Sequence, residues 1–390
     1  MDNFEFYNPA HIVFGKDEEK RTGELIRQHG GNRVLMLYGG GSIKKNGLYD
    51  KVQASLHAHG LFFLELGGVK PNPRLSLVRE AIRLCRENRI DFILAVGGGS
   101  VIDTAKTVAA AMCCPDDIWE YFQDLNKPLT GALPVGVVLT IPATGSESSD
   151  SAVITRDEDQ LKRHIAGSCL TPRFAVLNPE ITYTMPRCQI AFGCSDILSH
   201  MMERYFTRTQ HVDLTDRLLE GAMRSVLEQG PLAMRNPTDY NCRAEIMWTG
   251  TIAHNNLLGT GRLGDWASHN IEHELSAAYD LAHGAGLAIV TPAWMKYVYR
   301  TDASKFVQFA ERVFDVPDKT GNADAIVAEM IARLEAWYVS MELPIRLKDA
   351  GIDDSQLEKM AHKCLLGREF VGNYRRLSAE DVLAIYRLAL

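Results

Sequence analysis

Short apolar runs that end in glycine dominate the first half of the chain. Residues 33–38 read Arg-Val-Leu-Met-Leu-Tyr and run into Gly39-Gly40-Gly41-Ser42; residues 91–96 read Asp-Phe-Ile-Leu-Ala-Val and run into Gly97-Gly98-Gly99-Ser100. Unbroken apolar runs of this length, closed by turn residues, predict strands buried on both faces. Further strands are predicted over 61–66 and 133–141, with shorter ones over 152–155 and 174–177. Between them the period changes. Leu75, Val78, Ile82 and Cys85 fall at i, i+3, i+7 and i+10, the stripe of an amphipathic helix, and 101–112 is a run of small apolar residues that also reads as a helix. Alternation of this kind predicts a parallel sheet covered by helices on both faces.

From about Pro186 the texture changes. Strand-like runs nearly vanish, and 191–208, 215–228, 244–258 and 303–314 read as helices. Two prolines, Pro179 and Pro186, mark the transition. The expected organisation is an α/β domain over 1–183 followed by an all-helical domain over 184–390. A chain of 390 residues, 46% hydrophobic and 23% charged, has ample material for two such cores.

A net charge of −7 with no long basic run favours a soluble protein and no nucleic-acid partner. The first residues, with Asp2 and Glu5 and no apolar core, do not read as a signal peptide. No run reaches the ~18 apolar residues a membrane span needs. The eight cysteines form no C-x-x-C and read as reduced thiols of a cytosolic protein.

The turn Gly97, Gly98, Gly99, Ser100 lies between a strand and a helix. Glycines there allow close backbone approach to an anion, and the helix N-terminus favours a phosphate. The alternative is a tight β–α turn in which Asp103 steadies the helix N-terminus. The spacing is not G-x-G-x-x-G. Around the first turn, Gly39 to Ser42, no acidic residue follows until Asp50, whereas Ser42, Lys44 and Lys45 are at hand. That pattern suits a ribose 2′-phosphate, hence NADP, or else a solvated loop. The stretch from Thr140 through Thr144 to Glu147 is a third polar turn after a strand.

Candidate chemistry in the second half is carried by histidines. Asp196 and His200 are one helical turn apart; His269, His273 and His283 follow within fifteen residues, and the chain has only twelve histidines in all. One Asp and several His in helical context suit a first-row divalent metal, Fe or Zn, although spacing alone does not say which of the five ligate. His269-Asn270-Ile271-Glu272-His273 also fits H-x-x-E-H, a metallopeptidase pattern with Glu272 as base, but that reading leaves the glycine turns unexplained. His57 and His59 read as surface residues.

Together these segments resemble a family. The stretches 38–50, 95–106, 140–148, 174–180, 195–200, 265–276 and 282–293 resemble the iron-containing (group III) alcohol dehydrogenases, in particular their NADP-dependent aldehyde reductase and butanol dehydrogenase branch. The resemblance implies a Rossmann-like dinucleotide-binding domain followed by a helical metal-binding and substrate domain, a dehydroquinate synthase-like architecture. It implies Asp196, His200, His269 and His283 as metal ligands, with His273 unligated and facing substrate and nicotinamide. It implies Gly97, Gly98, Gly99 and Ser100 at the pyrophosphate, Asp103 near the nicotinamide end, Thr140, Thr144 and Lys162 as further cofactor contacts, and Gly40, Gly41 and Ser42 around a 2′-phosphate. Ser149-Asp150-Ser151 departs from the family pattern. The implied protein is a cytoplasmic homodimer that moves a hydride between NADP(H), or NAD(H), and a small alcohol or aldehyde such as butanol or butanal. The site is expected in a cleft between the domains, with Trp266 either packing or lining the pocket. Two other classes share features of the pattern: a sugar-phosphate cyclase, which would need a more cationic site, and a non-catalytic protein keeping the fold.

Overall fold

A computed structural model describes residues 1–124, 126–317 and 321–390. The chain forms two compact units, both discontinuous in sequence. One comprises 7–185 and 238–255; the other comprises 1–6, 186–237 and 256–390.

The first unit is built on strands β1 (His11–Phe14), β2 (Arg33–Tyr38), β3 (Phe62–Leu66), β4 (Phe92–Gly97), β5 (Val135–Leu139), β6 (Ser151–Arg156), β7 (Leu161–Ala166) and β8 (Phe174–Leu177). Six of them form one sheet in the order β1-β8-β5-β4-β2-β3, every pair parallel. Successive residues of each strand enter different cores. Leu35, Leu37, Ile93, Ala95, Val137 and Leu139 join one apolar cluster, while Val34, Met36, Tyr38, Leu94, Val96 and Val138 join another. Burial on both faces is why these strands read as unbroken apolar runs rather than alternating ones. The chain runs from β2 to the edge strand β3, crosses back to β4, and then moves outward through β5 to β8. That is the doubly wound order of flavodoxin-like sheets, with its switch between β2 and β4. Tyr38 pairs with Val96, so the turns at 39–42 and 97–100 leave adjacent strands side by side at the carboxyl edge, where ligands of such sheets bind.

The helix Gly99–Ala111 follows β4 and is buried on nearly all sides, which explains its small apolar composition. In the helix Leu75–Asn88 the third core position is Ala81 rather than Ile82, which is only partly buried. Two strands escaped the sequence reading. β1 is four residues long with one buried side chain. β7 carries Lys162, Arg163 and His164 and pairs only with β6, in an antiparallel hairpin apart from the main sheet.

In the second unit the helices Arg187–Tyr205, Asp213–Arg235, Ala267–Tyr279, His283–Val298 and Ala303–Phe314 frame the core. The helix Tyr240–Ala253, between these in sequence, packs within the α/β unit. Among the described residues no helix is long and apolar enough to cross a membrane.

Candidate metal centre and nucleotide turns

Three helices of the second unit bring four donors together. Asp196 and His200 share one face of Arg187–Tyr205; His269 lies in the first turn of Ala267–Tyr279. That helix ends at Asp280 in a left-handed conformation, and the chain restarts with His283 as the first residue of the next helix. Asp196 Oδ1 is 3.4 Å from His200 Nδ1, 3.7 Å from His283 Nε2 and 3.9 Å from His269 Nε2. Bonds of ~2.1 Å to a tetrahedral ion place its donors about 3.4 Å apart, so these distances from Asp196 suit a first-row divalent cation. The donor atoms of Asp196, His200 and His269 lie within 4.8 Å of one another, and His283 forms a second such group with Glu272 and His273. Asp196 Oδ1 and His269 Nε2 are buried and make no hydrogen bond among the described residues. An acceptor and an imidazole nitrogen buried in this way fit a metal better than a packed core.

The opposite nitrogens of two of these rings meet buried carboxylates. Glu203 accepts from His269 Nδ1 at 2.8 Å, and Glu272 pairs with His283 Nδ1. Burial alone would drive the His269 imidazole down, but carboxylates on both its nitrogens, Asp196 and Glu203, outweigh that and push it up to about 9. The pocket thus attracts positive charge. His273, one turn beyond His269, is half-buried and lies beside His283 rather than Asp196, with ring centroids 5.6 Å apart. Glu272 is fully buried and engaged by His283 and Ser276, an arrangement unlike the water-facing base of a metallopeptidase. Trp266 takes a left-handed φ of 66°, and its ring lies 5.4 Å from that of His269.

In the α/β unit the glycines of 97–99 are required by their neighbours. A Cβ on Gly97 would stand 2.4 Å from Val101, one on Gly98 2.9 Å from Ile141, and one on Gly99 2.4 Å from Thr144. The backbone of the turn is therefore pressed against the third polar turn, and Thr140 N–H donates to Gly97 O at 3.1 Å. Thr144 is fixed in turn, its carbonyl 2.9 Å from His254 Nδ1. Gly40 and Gly41 have open space where a Cβ would be, Gly41 at φ 99°, and Ser42 is exposed. Ser100 is partly exposed at the helix start. Asp103 is buried and its carboxylate accepts from Ser146 Oγ (2.6 Å) and Val153 N–H (3.1 Å); burial pushes it up. Lys162, on β7, is buried and donates to Asn72 Oδ1 at 3.0 Å. The unusual Ser149-Asp150-Ser151 stretch has a clear local task. Lys106, fully buried, donates to Ser149 O, Ser149 Oγ and Ser151 O at 2.8, 3.1 and 2.9 Å.

Sequence reasoning missed Glu203, although Asp196, His200 and Glu203 at i, i+4 and i+7 mark one helix face. It also missed the pairing of Glu147, named only as the end of the third turn, with Thr251, whose hydroxyl donates to it at 2.7 Å and ties the helix Tyr240–Ala253 to that turn. Nothing in the local spacing pointed to that pair.

Comparison with known proteins agrees with this architecture. Residues 9–179 match the sequence profile described as iron-containing alcohol dehydrogenase, and residues 190–390 that of the C-terminal part of the Fe-containing alcohol dehydrogenase family. A probable NADH-dependent butanol dehydrogenase of Bacillus subtilis is 41% identical, with all of both chains covered. An NADPH-dependent aldehyde reductase of Escherichia coli is 40% identical over 93% of each chain. The crystal structure of an NADH-dependent butanol dehydrogenase from Thermotoga maritima superposes with a TM-score of 0.96 at 40% identity, covering 100% of this chain and 99% of that one. Fold and likeness define an enzyme, an oxidoreductase of the alcohol dehydrogenase class. The chain belongs to the iron-containing alcohol dehydrogenase family, whose members use a nicotinamide cofactor and a metal, usually iron.

Proposed function

We propose that the protein is a cytoplasmic, homodimeric aldehyde reductase and alcohol dehydrogenase that works on small, butanol-like primary alcohols and aldehydes with NADP(H). The observation that carries the reading is the approach of His200, His269 and His283 to Asp196 Oδ1, at 3.4, 3.9 and 3.7 Å. These four residues would hold Fe or Zn. The α/β unit, 7–185 with 238–255, serves the dinucleotide, and the helical unit the metal and substrate. When bound, the metal supplies Lewis acidity toward the carbonyl oxygen and the nicotinamide supplies the hydride. His273, unligated beside His283, carries the proton to or from the substrate oxygen. Gly97, Gly98, Gly99 and Ser100 offer backbone N–H groups to the pyrophosphate, with Thr140, Thr144 and Lys162 as further contacts. Asp103 acts from beneath, holding Ser146 and the start of the hairpin in place.

The choice of NADP(H) rests on the loop after β2. Gly40, Gly41 and Ser42 leave room for a phosphate, and no carboxylate lies within 39–49. The nearby Glu65 is already engaged by Tyr49 OH at 2.6 Å and faces Lys44 at 3.9 Å. Dimerisation is supported by β1, an edge strand, where Phe14 (39% exposed) and Trp248 (45%) meet edge to face.

Absorbance at 340 nm with butanal, NADPH against NADH, before and after chelation, tests the reading. Rapid NADPH oxidation abolished by metal removal is expected. A preference for NADH would refute the assignment of the loop after β2. No oxidation of either cofactor by metal-loaded protein would refute the substrate class.

A further inference from the structure

We infer that Glu203 and Glu272 are positioning residues that set how tightly the metal is held, each acting through the rear nitrogen of one ligand histidine; this rests on the ligand assignment above. Both carboxylates are buried, 4% and 0% exposed, where an ionised group persists only if strongly partnered. Each fixes a tautomer. With Nδ1 of His269 and His283 turned to a carboxylate, the Nε2 lone pair of each ring is left facing Asp196. The negative charge behind each ring also raises its basicity as a ligand.

The two carboxylates are not equivalent. Glu203 does a second task. The helix carrying His269 has Trp266 at its N-cap and no side-chain cap of its own. Glu203, reaching across from the helix that carries Asp196 and His200, replaces that cap. Its Oε1 accepts the His269 backbone N–H at 2.9 Å as well as Nδ1, and its Oε2 accepts the Trp266 N–H at 2.6 Å. One carboxylate therefore sets the helix end, the ring and the tautomer together, with favourable charge at a helix N-terminus. Glu272 is held differently. It receives a hydrogen bond from Ser276 Oγ, and Gly286 leaves it space, since a Cβ there would lie 2.5 Å from Glu272 Oε1. Of the ligand histidines it meets His283, through Nδ1.

This asymmetry orders the variants. Glu272→Gln can still accept from His283 Nδ1–H with its carbonyl, and its amide N–H can donate to Ser276 Oγ while that hydroxyl turns to Leu281 O, so both contacts persist and the charge is lost. A glutamine at 203 has a single acceptor oxygen for donors that now use two, so it loses charge and cap together. The test titrates cobalt(II) into metal-free protein against a chromophoric chelator and records the cobalt absorption band; NADPH fluorescence checks that the α/β unit is intact. Glu272→Gln should bind cobalt about 10-fold more weakly with the wild-type band. Glu272→Ala and Glu203→Gln should be weakened about 100-fold with an altered band. Wild-type affinity and band in all three variants would overturn the inference while leaving the ligand set standing. A wild-type protein that binds NADPH but no cobalt would sink both the inference and the ligand set.

Discussion

At the end of β4 the molecule offers backbone; at the proposed metal site it offers side chains. Gly97, Gly98 and Gly99 lie against Val101, Ile141 and Thr144 so closely that no side chain fits between them. The cluster at Asp196 instead collects carboxylate and imidazole groups from three helices and steadies them with two further carboxylates. A backbone site must be written contiguously, because the same residues that bind also pack. A side-chain site can be assembled from distant segments, and its supporting residues can stand anywhere that reaches. The first kind fails through steric crowding, the second through lost charge and lost donors.

The sharpest way to separate them is Gly99→Ala. Its methyl would meet Thr144 at 2.4 Å, and Thr144 is held by His254, so the turn must shift. Overpacking of this kind costs about 1–3 kcal/mol. We expect NADPH affinity to fall at least about 10-fold, equivalent to ~1.4 kcal/mol, with metal content unchanged. Fluorescence titration with NADPH and elemental analysis on the same sample check this; metal loss in Gly99→Ala would show that the two sites are not independent.

A smaller effect probes the support of the third turn. Burial drives the Lys106 ammonium down to about 8, against an ordinary value of 10.5. Between those pH values the unfolded chain keeps a proton that the folded chain has released, so Lys106 favours folding more as pH rises through that window. Below about 8 both states are protonated and the full penalty of a buried charge is present. Lys106→Met removes this term along with the hydrogen bonds to Ser149 and Ser151. Wild type should therefore gain on the variant between pH 7.5 and 9.5, the window set by the lowered Lys106 value. Urea unfolding midpoints at the two pH values measure it, and a pH-independent gap would contradict the account.

How much could be read beforehand follows from the same contrast. The strand 33–38 and the strand 174–177 were legible residue for residue, because burial on both faces leaves an unbroken apolar run. β7 was not, because Leu161, Lys162 and Arg163 face a two-stranded hairpin rather than the main sheet. The five Asp and His candidates were visible through their helical spacing, but spacing left their roles open. Only the folded structure sets His273 beside His283, in one group of donors with Glu272. Glu203 was hidden because its importance lies in a hydrogen bond across 66 positions of sequence.

The central claim is that Asp196, His200, His269 and His283 hold the metal and His273 does not. Metal content of purified wild type, His283→Ala and His273→Ala tests it directly. The account predicts about one ion per chain in wild type and His273→Ala, with almost none in His283→Ala. A His273→Ala protein that has lost its metal, or a His283→Ala protein that keeps it, would contradict the assignment.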